Sequence, residues 1–184
     1  MNAETILLDA VDTRWKKYRS ELKTCRAEFS SEAVHDLRVA LRRLLAIFDL
    51  LRSVIHHPRI QKIRRELKDQ MDYLDELRDV QVLLADISEF VHEVPELTPF
   101  HEYSQKKERK LLRAARKQIK SLKTGSLSER VEKVRSMVEL LPDQNLKENL
   151  LEAVDDTYMR AMRYYAMIDV EKPTTCLLYT SMNA

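Results

Sequence analysis

The sequence predicts an all-α fold, an antiparallel bundle of long helices, on three observations. One glycine and five prolines in 184 residues leave little material for hairpin turns. Leu, Ala, Glu, Lys, Arg and Gln, which favour helices, dominate throughout. Apolar side chains recur at steps of three and four along most of the chain. With 44% hydrophobic residues the chain can bury a core, and its length suits one domain.

Six helical segments are expected. The first runs from about Ala3 to Lys23, with Ile6, Leu7, Ala10, Val11, Trp15, Tyr18 and Leu22 at helical spacing. Ser30 or Ser31 can cap the second, which continues to about Ile55 and stops at His56-His57-Pro58. The third spans about Arg59 to Val91, with a kink expected near its centre, before Pro95 and Pro99 break the chain. The fourth extends from about Phe100 to Lys123, and Gly125, the one glycine, suits a left-handed cap behind it. A fifth occupies roughly Ser128 to Leu141, and Pro142-Asp143 opens a sixth that reaches about Ile168.

The sixth segment echoes the first. LLDAVDTRWKKY from Leu7 aligns with LLEAVDDTYMRA from Leu150, and Trp15 meets Tyr158 across an offset of 143 residues. A second repeat is therefore expected to begin at about residue 143 and to remain incomplete. Residues 1–171 form the expected domain. Residues 172–184 are read as a non-native or disordered tail, because PTTCLLYTSMNA breaks the helical pattern and CLLYTS resembles a translated transposon end used in sequencing libraries. On that reading the native sequence stops near Lys172.

Net charge is only +2, so any signal for an anionic partner must lie in how the charges are arranged. Two cysteines, Cys25 and Cys176, make neither a disulfide framework nor a thiolate metal site, and a reducing compartment fits them. No apolar run approaches the ~20 residues that cross a bilayer, and no export signal opens the chain. The expectation is a cytoplasmic protein with no membrane partner and no cofactor.

Two stretches concentrate positive charge. In the second segment Val34, Leu37, Leu41, Leu44, Phe48 and Leu51 mark a core face, and His35, Arg38 and Arg42 form a ladder on the face beside it. Asp36 lies on another face and Asp49 nearly two turns away, so the ladder calls for an anion or a carboxylate from a neighbouring helix. In the fourth, residues 105–123 hold nine Lys or Arg against one acid, Glu108. Lys106, Arg109, Arg113, Arg116, Lys120 and Lys123 run along it as a stripe opposite Leu111, Leu112, Ala115, Ile119 and Leu122. A row of guanidinium and ammonium groups can neutralise successive charges of a linear polyanion, although a solvated charged face has the same pattern. The third segment adds Lys68 and the pair Arg78-Asp79, in which Asp79 either orients an anion-binding arginine or forms a plain ion pair.

HDLRVALRRLLAIFDLL from His35 and LDELRDVQVLL from Leu74 resemble the CHAD domain, the conserved histidine α-helical domain. That family's first repeat carries a His-x-x-Arg-Val-x-x-Arg-Arg helix, then a Leu-Gly-x-x-Arg-Asp-x-Asp-Val helix. The resemblance extends over about residues 3–170 in helix order and spacing. It implies a pseudo-twofold pair of helical bundles, of which this chain is one half, around a basic pore that binds inorganic polyphosphate. By motif it assigns His35, Arg38, Arg42, Arg43, Lys68 and Arg78 to the anion and Asp79 to an orienting role. The stripe of Arg109, Arg113, Arg116 and Lys120 is a separate candidate, read from charge alone. Two positions depart from the pattern: Asp75 replaces the usual glycine and Gln81 the second acid. No second His-x-x-Arg helix follows residue 170, so self-association that completes the twofold is an expected partnership.

Catalysis is not expected. His35-Asp36 lacks the further ligands of a metal-dependent phosphohydrolase, and His56, His57, His92 and His101 share no ligand spacing on one helix face. One glycine cannot build a phosphate-cradling loop. An RNA-binding module is the rival reading. Against it, Trp15, Tyr18, Phe29, Phe48, Tyr73 and Tyr103 sit at core-like spacings, and none interleaves with the basic stripe to stack bases. The expected function is noncatalytic binding of inorganic polyphosphate, at its granules in the cytoplasm, with nucleic acid as the alternative ligand.

Overall fold

A computed structural model describes residues 2–167, apart from the side chains of residues 143–145. Six α-helices and one 3-10 turn make up the described chain: α1 Ala3–Glu28, α2 Ser31–Val54, α3 Pro58–Phe90, a turn at Pro95–Leu97, α4 Thr98–Ser121, α5 Gly125–Glu139 and α6 Asp143–Ala166. The expectations for residues 172–184 and for Cys176 fall outside the described residues.

Local chemistry explains most boundaries. Asn2 Oδ1 accepts from the Thr5 N–H at 2.8 Å and Ser30 Oγ from the Ala33 N–H at 3.1 Å, so each caps the start of a helix. His57 Nδ1 accepts from the Arg59 N–H at 3.1 Å, with Pro58 in the first helical turn behind it. The histidine-proline break thus starts α3 as well as ending α2.

Two boundaries differ from expectation. Helix α1 runs on to Glu28, past Lys23, because Cys25 is buried in the core and Arg26 reaches α4. It closes on Phe29, the one non-glycine residue with positive φ among those described, at 47°. Gly125 is not a left-handed cap; it lies in the first turn of α5, and no glycine has positive φ. Arg26 takes over the capping, donating from Nε to the Ile119 carbonyl at 3.0 Å and from Nη2 to the Leu122 carbonyl. With those acceptors satisfied, α4 ends without a left-handed residue.

Helices α1, α2 and α3 are three staves of a four-stave bundle, and α4 followed by α5 is the fourth, touching both α1 and α3. The ion pairs Arg38–Asp75 and Asp49–Arg64 fix α2 antiparallel to α3. Gln81–Glu108 and Ser88–His101 do the same for α3 and α4. Each stave thus has two neighbours, and the α2/α3 seam lies across the bundle from the α1/α4 seam. All six expected core positions of α2, from Val34 to Leu51, are buried, packed with Tyr18, Leu67, Leu74, Leu77 and Val134. Truncating a side chain such as Phe48 in so dense a core costs about 3–5 kcal/mol. Tyr18 donates its buried hydroxyl to Gln70 Oε1 at 2.7 Å, tying α1 to α3.

Helix α6 behaves differently. Leu146 is buried and Leu150 packs on the core, beside a wholly apolar cleft lined by Ile6, Ile47 and Leu50. Beyond Leu150 the apolar stripe Leu151, Val154, Tyr158, Met162 and Tyr165 is exposed. In α1 the residues matching Leu150 and Val154 are Leu7 and Val11, both buried. The echo is thus a helix that presents a core face without a core.

Candidate anion-binding faces

The α2 ladder meets α3 in the register set by Arg38 and Asp75. Arg38 donates to Asp75 Oδ1 from Nε at 2.8 Å and from Nη2 at 2.5 Å. Of the expected site residues, Arg38 is therefore already neutralised, by the acid that stands where the family pattern has glycine. The same register brings His35 level with Arg78, three residues along each helix from the pair. Asp79 is exposed and forms no ion pair among the described residues. The carboxylate directly opposite Arg38 is that of Asp75.

His35, Arg42 and Lys68 are exposed and Arg78 is half-buried. None of the four has an acid within 4.0 Å among the described residues. Elsewhere the bundle does pair its arginines: Arg64 with Asp49, Arg130 with Glu66, and Arg135 with Asp12 at 3.1 Å. The α2/α3 seam thus holds both a paired arginine, Arg38, and cations left open. Asp75 and Asp79 nevertheless temper this seam, which is mixed in sign.

Arg43 is separated from the ladder. It lies one residue beyond Arg42, some 100° round the helix, and acts electrostatically on Lys17 of α1. Lys17 is held above its ordinary pKa by its hydrogen bond to Glu21 at 2.6 Å and by that carboxylate's charge, with Arg43 opposing.

The α4 stripe is also separate. Arg116 stands 6.0 Å above the Phe29 ring at the α1–α2 corner. Arg113, Arg116, Lys117 and Lys120 line an open cavity of about 520 Å³. Arg109 donates from Nε to its own helix, at the Gln105 carbonyl, 3.3 Å away. No cavity among those described takes in both these groups and the α2/α3 ladder.

Sequence reasoning missed the cations of α1. Lys16, Arg19, Lys23 and Arg26 of α1 line a cavity of about 700 Å³ that also takes in Trp15 and Thr124. The signal was present in KKYRSELK, where Lys16, Arg19 and Lys23 repeat the three-and-four spacing of the α2 ladder. Trp15 packs on Tyr18 with ring centroids 5.3 Å apart, whereas Tyr73 and Tyr103, expected in the core, are exposed. Among the described residues no cluster of His, Cys, Asp or Glu is arranged to hold a metal, and no helix is long and apolar enough to cross a membrane.

The family model of the CHAD domain matches residues 9–175, most of the chain. No curated protein and no solved structure matches it.

Proposed function

This chain belongs to the CHAD domain family, and from that premise we propose that it binds inorganic polyphosphate without turning it over. The observation that carries the reading is the set of cations left without acids: His35, Arg42, Lys68 and Arg78 on the α2/α3 seam, and Arg109, Arg113, Arg116 and Lys120 on α4. Guanidinium groups match phosphate oxygens bidentately, and a linear polymer gains by engaging several of them while its counterions are released. His35 donates a hydrogen bond, and adds charge when protonated. We set this binding in the cytoplasm, at polyphosphate granules.

Self-association is the second part of the reading, supported by the bare stripe of Leu151, Val154, Tyr158, Met162 and Tyr165. Two copies that meet through α6 would cover these residues. Val154→Glu with Tyr158→Glu is expected to shift sedimentation to the monomer, and an unchanged sedimentation coefficient opposes the pairing.

Nucleic acid is the competing ligand. In competition at equal phosphate concentration across a salt series, long-chain polyphosphate is expected to displace single-stranded RNA at every salt. Preference for RNA overturns the reading.

A further inference from the structure

We propose that the basic groove that runs along α1 to the α4–α5 turn and on along α4 is a second polyanion track, separate from the α2/α3 seam, so that one chain holds two strands of phosphate polymer and bridges them. The inference rests on the polyphosphate reading above and extends it to residues outside the family motif.

One stretch is α1. Lys16, Arg19 and Lys23 are exposed, have no acid within 4.0 Å among the described residues, and line the larger cavity. Arg26 is occupied, its guanidinium being spent on the Ile119 and Leu122 carbonyls, and its role is to tie α1 to the end of α4. The other stretch is α4, where Arg113, Arg116, Lys117 and Lys120 line the second cavity. No acid lines either cavity. Lys16 to Lys23 and Arg113 to Lys120 each span eight residues, about 10 Å at ~1.5 Å of rise per residue. The two rows run end to end: Arg26 joins α1 to Ile119 and Leu122, and the α4 row continues past the end of α1 beside Phe29.

Two features separate this groove from the seam. It lies on the opposite side of the bundle, so one stretch of polymer cannot touch both by the shortest path. Its sign is also unmixed, whereas Asp75 and Asp79 temper the seam. Trp15 is the one aromatic among the residues lining the two cavities and also packs on Tyr18, and a single ring favours a ligand recognised by charge over one recognised by successive stacking.

The test counts equivalents. Isothermal titration of the full chain with a short linear inorganic polyphosphate is expected to give two chains bound per protein chain. Arg19→Glu with Lys23→Glu is expected to leave one, and to abolish the light scattering that long-chain polymer produces by cross-linking the wild type. Should the reversal perturb helicity, Arg19→Gln with Lys23→Gln removes the charge alone and is expected to lose the same equivalent. Two equivalents retained in these variants, or one in the wild type, overturns the second track. Arg42→Ala with Lys68→Ala separates the two readings: if it keeps both equivalents while the α1 variants lose one, the seam is wrong and the groove stands. A chain that takes up no polymer removes the polyphosphate reading itself.

Discussion

Arg38 and Asp75 face each other across the α2/α3 seam with two nitrogens of the guanidinium on one carboxylate oxygen, at 2.8 and 2.5 Å. The side chains are 13% and 33% exposed, so the pair is partly shielded from water. The carboxylate occupies the arginine that a phosphate would otherwise engage. Asp75→Asn is expected to free Arg38, tighten polyphosphate binding and cost about 1–3 kcal/mol of stability through the lost charged hydrogen bonds. Titration calorimetry and urea unfolding check the two effects, and weaker binding with unchanged stability contradicts the assignment.

The cap that Arg26 provides yields a second expectation. Arg26→Ala leaves the Ile119 and Leu122 carbonyls without their donor and is expected to cost about 1–3 kcal/mol. Arg26→Lys is expected to recover little, because an ammonium cannot reach two carbonyls with a fixed fork. Faster amide exchange confined to the last turn of α4 and the start of α5 is the diagnostic readout.

Phe29 carries opposing demands. Its φ of 47° is disfavoured for a side chain with a Cβ, yet its ring is buried beneath Arg116. Phe29→Ala keeps the strain and deletes the ring, at about 3–5 kcal/mol. Phe29→Gly deletes the same ring but relieves the left-handed backbone, worth about 1–2 kcal/mol. Glycine is therefore expected to be the milder substitution by urea midpoint, the reverse of the usual order within helices.

Alkaline pH probes the core. Burial pushes the Tyr18 hydroxyl from its ordinary 10.0 up to about 12, against the opposing hydrogen bond to Gln70. Burial likewise pushes the Cys25 thiol from 9.0 to about 11. Both groups are held neutral in the folded chain, so their contribution is complete below the unfolded values and lost as pH rises through the folded ones. Stability is expected to be level up to pH 9 from these groups and to fall between pH 9 and 12. Cys25→Ala is expected to move the onset to about pH 10, measured by urea unfolding at each pH.

The helices and their buried faces were legible in the sequence, because a period of 3.6 residues survives in every segment and α2 buries all six positions it marks. Charge partners were less so. Asp75 was visible as a departure from the family pattern, but its bond to Arg38 depends on the α2/α3 register. Gly125 was misread because the donor that makes a left-handed cap unnecessary, Arg26, lies 93 residues from Ile119 in sequence. The α4 stripe was legible as a stripe, whereas its continuation along α1 appears only once Arg26 joins the two helices.

We expect binding of the polymer on the α2/α3 seam through the unpaired cations and not through the paired Arg38. Its most direct test is the affinity of Arg42→Ala with Lys68→Ala for long-chain inorganic polyphosphate as a function of salt, measured beside the wild type at matched helicity. We expect weaker binding and a shallower dependence on salt, since two fewer phosphate contacts release fewer counterions. Affinity and salt dependence equal to those of the wild type would contradict the claim.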